Sequence, residues 1–159
     1  MPAVSSDPDG RIVWRYALII GLVVRLVILW HTSTLSTQIV DEQQYRQIAD
    51  NLLAGNGFAW GPGELTSIRP PLYPALLAGV WRVTGADNLQ AIRILQILLG
   101  LATSGLVYLL GARLYSPRVG RYAAAICWLY PSFVFFDFLI LTETLFTFLL
   151  VAFVLATVS

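Results

Sequence analysis

The run LQAIRILQILLGLATSGLVYLLGA, residues 89–112, carries one charge, Arg93, and no proline or acid. A helix needs about 20 mostly apolar residues to cross the hydrocarbon core of a bilayer, and this run supplies them. Three further runs read the same way: residues 12–30, 122–136 and 138–158. A shorter apolar piece, residues 72–83, follows two prolines and reads as an interfacial or partly inserted helix. The predicted fold class is therefore all-α integral membrane, with four transmembrane helices and amphipathic juxtamembrane helices in a long loop after the first.

Composition points the same way. The chain is 57% hydrophobic and 12% charged, where soluble domains carry about 25% charged residues. Net charge is +1, which gives no nucleic-acid signal. The single cysteine, Cys127, rules out an internal disulfide, and the single histidine, His31, rules out a histidine cluster for zinc. A metal site would have to use carboxylates.

The expected organisation is a cytoplasmic tail over residues 1–11, a first span over 12–31, an outer loop over 32–88, and three more spans over 89–159. Residues 1–9 are polar and read as a disordered tail. The first span is too long, and too interrupted by Arg25, for a cleaved signal peptide, and reads as an uncleaved anchor. Arg11 and Arg15 flank it, and Arg113, Arg118 and Arg121 lie between the second and third spans without an acid. Arginines concentrate on the cytoplasmic side, so the long loop and the turn near Pro131 fall outside. The basic set is entirely arginine, which points to a GC-rich bacterial gene and hence to a bacterial inner membrane.

The outer loop holds most of the distinctive polar residues. Tyr45, Ile48, Ala49, Leu52 and Leu53 recur at helical spacing, and Gly55-Asn56-Gly57 closes the pattern. The spacing predicts an amphipathic helix of about three turns lying at the membrane surface. Asp41, at its start, is read as an N-cap or as a general base held rigid at the surface, and the two readings are compatible. Glu42 extends the acidic turn and favours the helix dipole. Trp60 reads as an interfacial anchor. In Arg69-Pro70-Pro71-Leu72-Tyr73-Pro74 the prolines hold the backbone extended ahead of the next helix. Arg69 there suits either a phosphate, through its paired donors, or a lipid headgroup reached by snorkelling.

Charges inside the spans form a second group. Arg25 should face protein or a water-filled cavity. Glu143 is positioned either to pair with it or to line the same outer cavity as Asp41. Asp137 is expected to be solvated at its turn, and Arg93 to snorkel to the interface.

Taken in order, these motifs resemble a known family. An Asp41-Glu42 pair follows the first span, Tyr45 comes three residues later, and Ala-Asp-Asn-Leu-Leu-Ala-Gly-Asn-Gly spans residues 49–57. Arg-Pro-Pro-Leu-Tyr-Pro begins at Arg69, an arginine-containing second span follows, Tyr130-Pro131 ends the third, and Leu141-Thr142-Glu143 opens the fourth. The chain resembles, over residues 12–158, the N-terminal part of the GT-C membrane glycosyltransferases, the superfamily of protein O-mannosyltransferases and lipid A aminoarabinose transferases. The resemblance implies transfer of a sugar from a polyprenyl-phosphate carrier to a glycan, lipid or protein acceptor on the outer face, by inversion. It implies catalytic roles for Asp41, Glu42 and Glu143, and substrate binding by Arg69, Tyr45 and Tyr73. Members are several times longer, so a missing C-terminal half or another membrane subunit is an expected partner. No cofactor is implied with certainty, and a divalent cation between Asp41 and Glu143 stays open.

Two other readings compete. A small transporter or flippase-like subunit for a lipid-linked sugar would use Arg25 and Glu143 as an intramembrane pair. A non-catalytic membrane subunit would tolerate loss of Asp41 and Arg69.

Overall fold

Proline at a first helical turn costs no hydrogen bond, because that N–H has no intrahelical partner. In the computed structural model, which describes residues 8–37 and 39–158, three helices begin on such a proline. The first, α1 (Pro8–His31), starts four residues before the predicted position and takes in Asp9. Residues 1–7 of the expected tail lie outside the described residues. The long loop after α1 contains α2 (Val40–Leu53) and α3 (Leu72–Thr84), both close to their predicted bounds. The long apolar run forms α4 (Leu89–Leu114), capped by the Asn88 side chain, which accepts from the Ala91 N–H at 3.0 Å. Next comes α5 (Pro117–Leu129), capped by Ser116. The last two helices are α6 (Pro131–Phe136) and α7 (Glu143–Thr157). Among the described residues there is no strand, only an isolated bridge between Ala59 and Leu65 that closes the aromatic loop.

The expected third span is not one helix. Pro131 pushes Tyr130 into extended backbone, at φ −64° and ψ 121°, and the chain restarts as the short α6. Arg118 and Arg121 fall inside α5 rather than in a loop, because Pro117 starts that helix early. The fourth expected span also starts late, at Glu143, because residues 137–142 are not helical. Among the described residues two helices, α1 and α4, are long and apolar enough to cross a bilayer. Although α7 is equally apolar, it has 15 residues, a rise of roughly 22 Å against a hydrocarbon core of roughly 30 Å.

The helices α1 and α4 run antiparallel. At one end Gln90 Nε2 donates to the Leu29 carbonyl at 3.1 Å; at the other, Arg11, Trp14 and Arg15 share a pocket with Tyr108 and Arg121. Close approach depends on two glycines. A Cβ on Gly21 would sit 2.1 Å from the Trp128 indole nitrogen, and one on Gly120 would sit 2.5 Å from the Tyr108 carbonyl oxygen. Only glycine lets α1 and α4 lie this near α5.

The buried residues form two clusters. One gathers Ile97, Trp128 and Phe138 between α1, α4 and α5. The other gathers Tyr45, Ala49, Tyr73, Leu77, Trp81, Ile92, Ile140 and Leu141, joining α2 and α3 to the start of α4 and to the segment before α7. The N-terminal part of the α2 stripe, Tyr45, Ile48 and Ala49, is buried, with Tyr45 and Ala49 in this cluster beside α3, while Leu53 at its end stays exposed.

Candidate functional site

Residues 137–142 are not helical, and between the Phe138 N–H and the Thr142 carbonyl their backbone has no helical ladder, yet Phe138, Ile140 and Leu141 are buried. Buried backbone groups require partners, and here side chains from other elements provide them. The Glu42 carboxylate accepts the Ile140 N–H at 2.8 Å through one oxygen and the Ile39 N–H at 3.1 Å through the other. Gln96 Nε2 donates to the carbonyls of Phe136, Asp137 and Leu139 at 3.2, 3.0 and 2.7 Å. Arg93 Nε donates to the Phe138 carbonyl at 3.2 Å. This cradle fixes the unwound segment that delivers Glu143 to the start of α7.

Several expectations change on that account. Arg93 does not snorkel; it is buried, and its remaining donors reach the Thr32 and Leu35 carbonyls at 2.7 and 3.1 Å. It ties the turn that follows α1 to the unwound segment. Asp137 is not solvated either. Its carboxylate accepts from Arg25 Nε at 2.7 Å, and both side chains are 1% exposed. Arg25 also donates to the Gly21 and Trp128 carbonyls and lies 3.6 Å over the Trp128 ring. Its partner is Asp137, so the Arg25–Glu143 pair that a transporter reading required is not formed.

Asp41 is not the N-cap of α2, because the helix starts one residue earlier and Ile39 holds that position. Glu42 falls on the third helical residue and reaches back to the Ile39 N–H, as a capping box requires. Asp41 is thereby left facing outward. It meets the Arg69 guanidinium in an ion pair across 28 residues of chain, with the arginine 21% and the aspartate 52% exposed. The same guanidinium contacts Gln44 Oε1, its Nε at 2.8 Å, and lies 5.2 Å over the Tyr45 ring.

Beneath that pair, Tyr45 and Tyr73 pack edge to face, with ring centroids 5.1 Å apart and planes at 82°. The Tyr73 hydroxyl donates to Gln96 Oε1. A continuous chain of contacts thus runs from Arg69 through Tyr45, Tyr73 and Gln96 to the unwound segment. Burial pushes the Tyr45 phenol up; Arg69 pulls it back, and the fields of Glu143 and Asp41 add to the rise. Burial pushes Tyr73 further up, with Glu143 and Glu42 contributing. Both stay neutral.

Glu143 lines a cavity of about 150 Å³ with Arg25, Gly100, Thr103, Phe136 and Asp137. Its Oε2 is buried with no hydrogen-bond partner among the described residues. The divalent cation considered between Asp41 and Glu143 finds no ready ligand set: among the described residues no three His, Cys, Asp or Glu side chains gather. Sequence reasoning missed Gln96 and the roles of Arg93 and Asp137. Gln96 offered one readable signal, an amide inside an otherwise apolar span, which needs a polar partner at that depth.

A family model described as dolichyl-phosphate-mannose-protein mannosyltransferase matches residues 68–159. The match takes in Arg69, Tyr73, Gln96, Asp137 and Glu143, and leaves α1 and α2 outside. No curated protein and no solved structure matches the chain.

Proposed function

Because the chain belongs to the dolichyl-phosphate-mannose-protein mannosyltransferase family, which is of GT-C type, we propose that it transfers a sugar from a polyprenyl-phosphate carrier to an acceptor hydroxyl on the outer face of the membrane. The acceptor hydroxyl belongs to a glycan, a lipid or a protein. The observation that carries this reading is the exposed Asp41–Arg69 contact, which sets a candidate base beside a candidate phosphate ligand.

In this mechanism the carrier phosphate binds the Arg69 guanidinium, whose fork matches phosphate oxygens. Arg69 exchanges Asp41 for the phosphate, which frees the Asp41 carboxylate. The acceptor hydroxyl then attacks the anomeric carbon from the face opposite the phosphate, and its proton passes to Asp41. The bond from the anomeric carbon to the phosphate oxygen breaks, leaving the carrier as a phosphate monoester whose new charge rests on Arg69. One displacement inverts the anomeric centre. Tyr45 and Tyr73, being buried, act as the platform that aims Arg69. Glu42 is a positioning residue, acting through the backbone of Ile140 and hence on Glu143. Glu143, with one unpartnered oxygen, orients the acceptor. On this reading Arg11 and Arg15 are the cytoplasmic flank of α1, so that a single crossing by α1 sets Asp41 and Arg69 on the outer side.

The test is native mass spectrometry of the full chain in detergent, titrated with polyprenyl phosphate. Wild type should bind, Arg69→Ala should weaken binding at least about tenfold, as loss of a charge-assisted contact does, and Asp41→Asn should bind as well as wild type. Equal binding by all three would reduce Arg69 to a headgroup anchor and overturn the donor-site assignment.

A further inference from the structure

The end of the molecule opposite Asp41 and Arg69 carries Arg11 and Arg15 on α1, Arg113 on α4, and Arg118 and Arg121 on α5. Among the described residues there, Asp9 is the only acid. A pocket of about 290 Å³ opens between the three helices, lined by Arg11, Trp14, Arg15, Tyr108 and Arg121. Guanidinium groups from two elements converge on it, and Arg11 and Arg15 are themselves exposed. Convergent forks of this kind suit the oxygens of a phosphate. An indole and a phenol beside them are the side chains that settle at headgroup depth.

A second observation says where the rest of the ligand lies. Ile19, Leu22 and Leu26 follow Arg11 and Arg15 at steps of three and four residues along one side of α1, and all three are exposed, at 59, 46 and 53%. Residues so spaced share a helix face. The stripe runs from Arg15 to Leu26, a rise of roughly 16 Å, long enough to lie against an acyl chain. Guanidiniums stand at its head and aliphatic side chains along its length.

We propose that this pocket is a binding site for an anionic phospholipid, with the phosphate of the headgroup on Arg11 and Arg15 and an acyl chain along Ile19, Leu22 and Leu26. The site is separate from the Asp41–Arg69 pair and serves to hold α1 in register with α4 and α5 at the basic end. Free phosphate would satisfy the arginines but would leave the stripe without a role.

The full chain in a non-ionic detergent, titrated by native mass spectrometry, decides this. The probes are dioleoyl phosphatidylglycerol, dioleoyl phosphatidylcholine and inorganic phosphate, and circular dichroism checks that each variant is folded. Wild type should retain phosphatidylglycerol in preference to phosphatidylcholine, and a large excess of inorganic phosphate should not displace it. The double variant Arg11→Gln/Arg15→Gln should lose that preference by about tenfold or more, while Arg82→Gln, on α3, should leave it unchanged. Should the double variant not fold, Arg11→Gln alone should show a loss of about threefold. Equal retention of the two lipids, displacement by inorganic phosphate, or an unchanged preference in the folded Arg11 and Arg15 variants would each overturn the proposal.

Discussion

Two arginine–aspartate pairs in this chain have the same chemistry and opposite settings. Arg25 and Asp137 meet across 112 residues of chain, at 2.7 Å, both 1% exposed. Asp41 and Arg69 meet at the surface, with the aspartate about half exposed. The inner pair is packed under the Trp128 ring and against backbone carbonyls and reaches only the cavity it shares with Glu143, so each charge is held by the other and by the fold. The outer pair can open by a rotation of one side chain. Burial turns the first pair into a fastener and leaves the second available for exchange.

The largest effect that separates them is on stability. Asp137→Ala leaves the Arg25 guanidinium buried without its counter-charge, a change that costs roughly 3–5 kcal/mol. Thermal unfolding in detergent should show a large fall in Tm. Replacing both, as Arg25→Leu/Asp137→Leu, should recover most of the loss, because apolar side chains of similar size often substitute for a buried pair at little cost. A silent Asp137→Ala would mean that the pair carries no structural load.

Glu42→Gln comes next. The carboxylate accepts two backbone N–H groups at once, and an amide can accept through only one atom while turning its NH2 toward the other donor. About 1–3 kcal/mol should be lost, again read by Tm. Glu42→Ala should lose more, because both the Ile39 and Ile140 N–H groups would then be buried without an acceptor. If Glu42→Gln abolished transfer with no change in Tm, the residue would instead act on substrate.

The same contrast explains how much could be read beforehand. Local signals were legible: the helical stripe from Tyr45 to Leu53, its stop at Gly55, with φ +80°, and the start of α3 after Pro70-Pro71. The outer pair was half legible, since Asp41 and Arg69 each stood out by position, but their contact is tertiary and depends on the turn through residues 54–71. The inner pair was not. Arg25 announced a need for a partner, and two acids near the same depth competed; the choice of Asp137 over Glu143 follows from the unwinding of residues 137–142. The break at Tyr130 was readable from Pro131. The burial of the segment after it was not, because the groups that satisfy its backbone, Glu42, Arg93 and Gln96, come from three other places in the chain.

A smaller effect is a matter of pH. Burial raises the phenol of Tyr45 above its ordinary value near 10. Below that value the phenol is neutral whether the chain is folded or not, so it contributes no pH dependence. As pH rises past about 10 the unfolded phenol ionises first, and stability falls until the folded pKa is reached. Melting curves between pH 9 and 11 should show this decline, and Tyr45→Phe should flatten it in part, the remainder belonging to the more deeply buried Tyr73.

The smallest stability effect should accompany the largest functional one. Asp41→Asn removes one charge from an exposed ion pair, and such pairs contribute about 0–1 kcal/mol. Its Tm should therefore stay close to that of wild type. Arg69 would keep Gln44 and the Tyr45 ring as supports, so the carrier phosphate should still bind. Transfer, however, needs the acceptor proton to be taken up, and an amide cannot do so at neutral pH. Removing a general base typically costs about a hundredfold or more. A single-turnover assay with a polyprenyl-phosphate sugar should thus show normal donor binding and almost no product. Should Asp41→Asn keep its rate, Asp41 would be only the counter-ion of Arg69, the base would have to be sought at Glu143, and the outer pair would prove to be a fastener like the inner one, set in a wetter place.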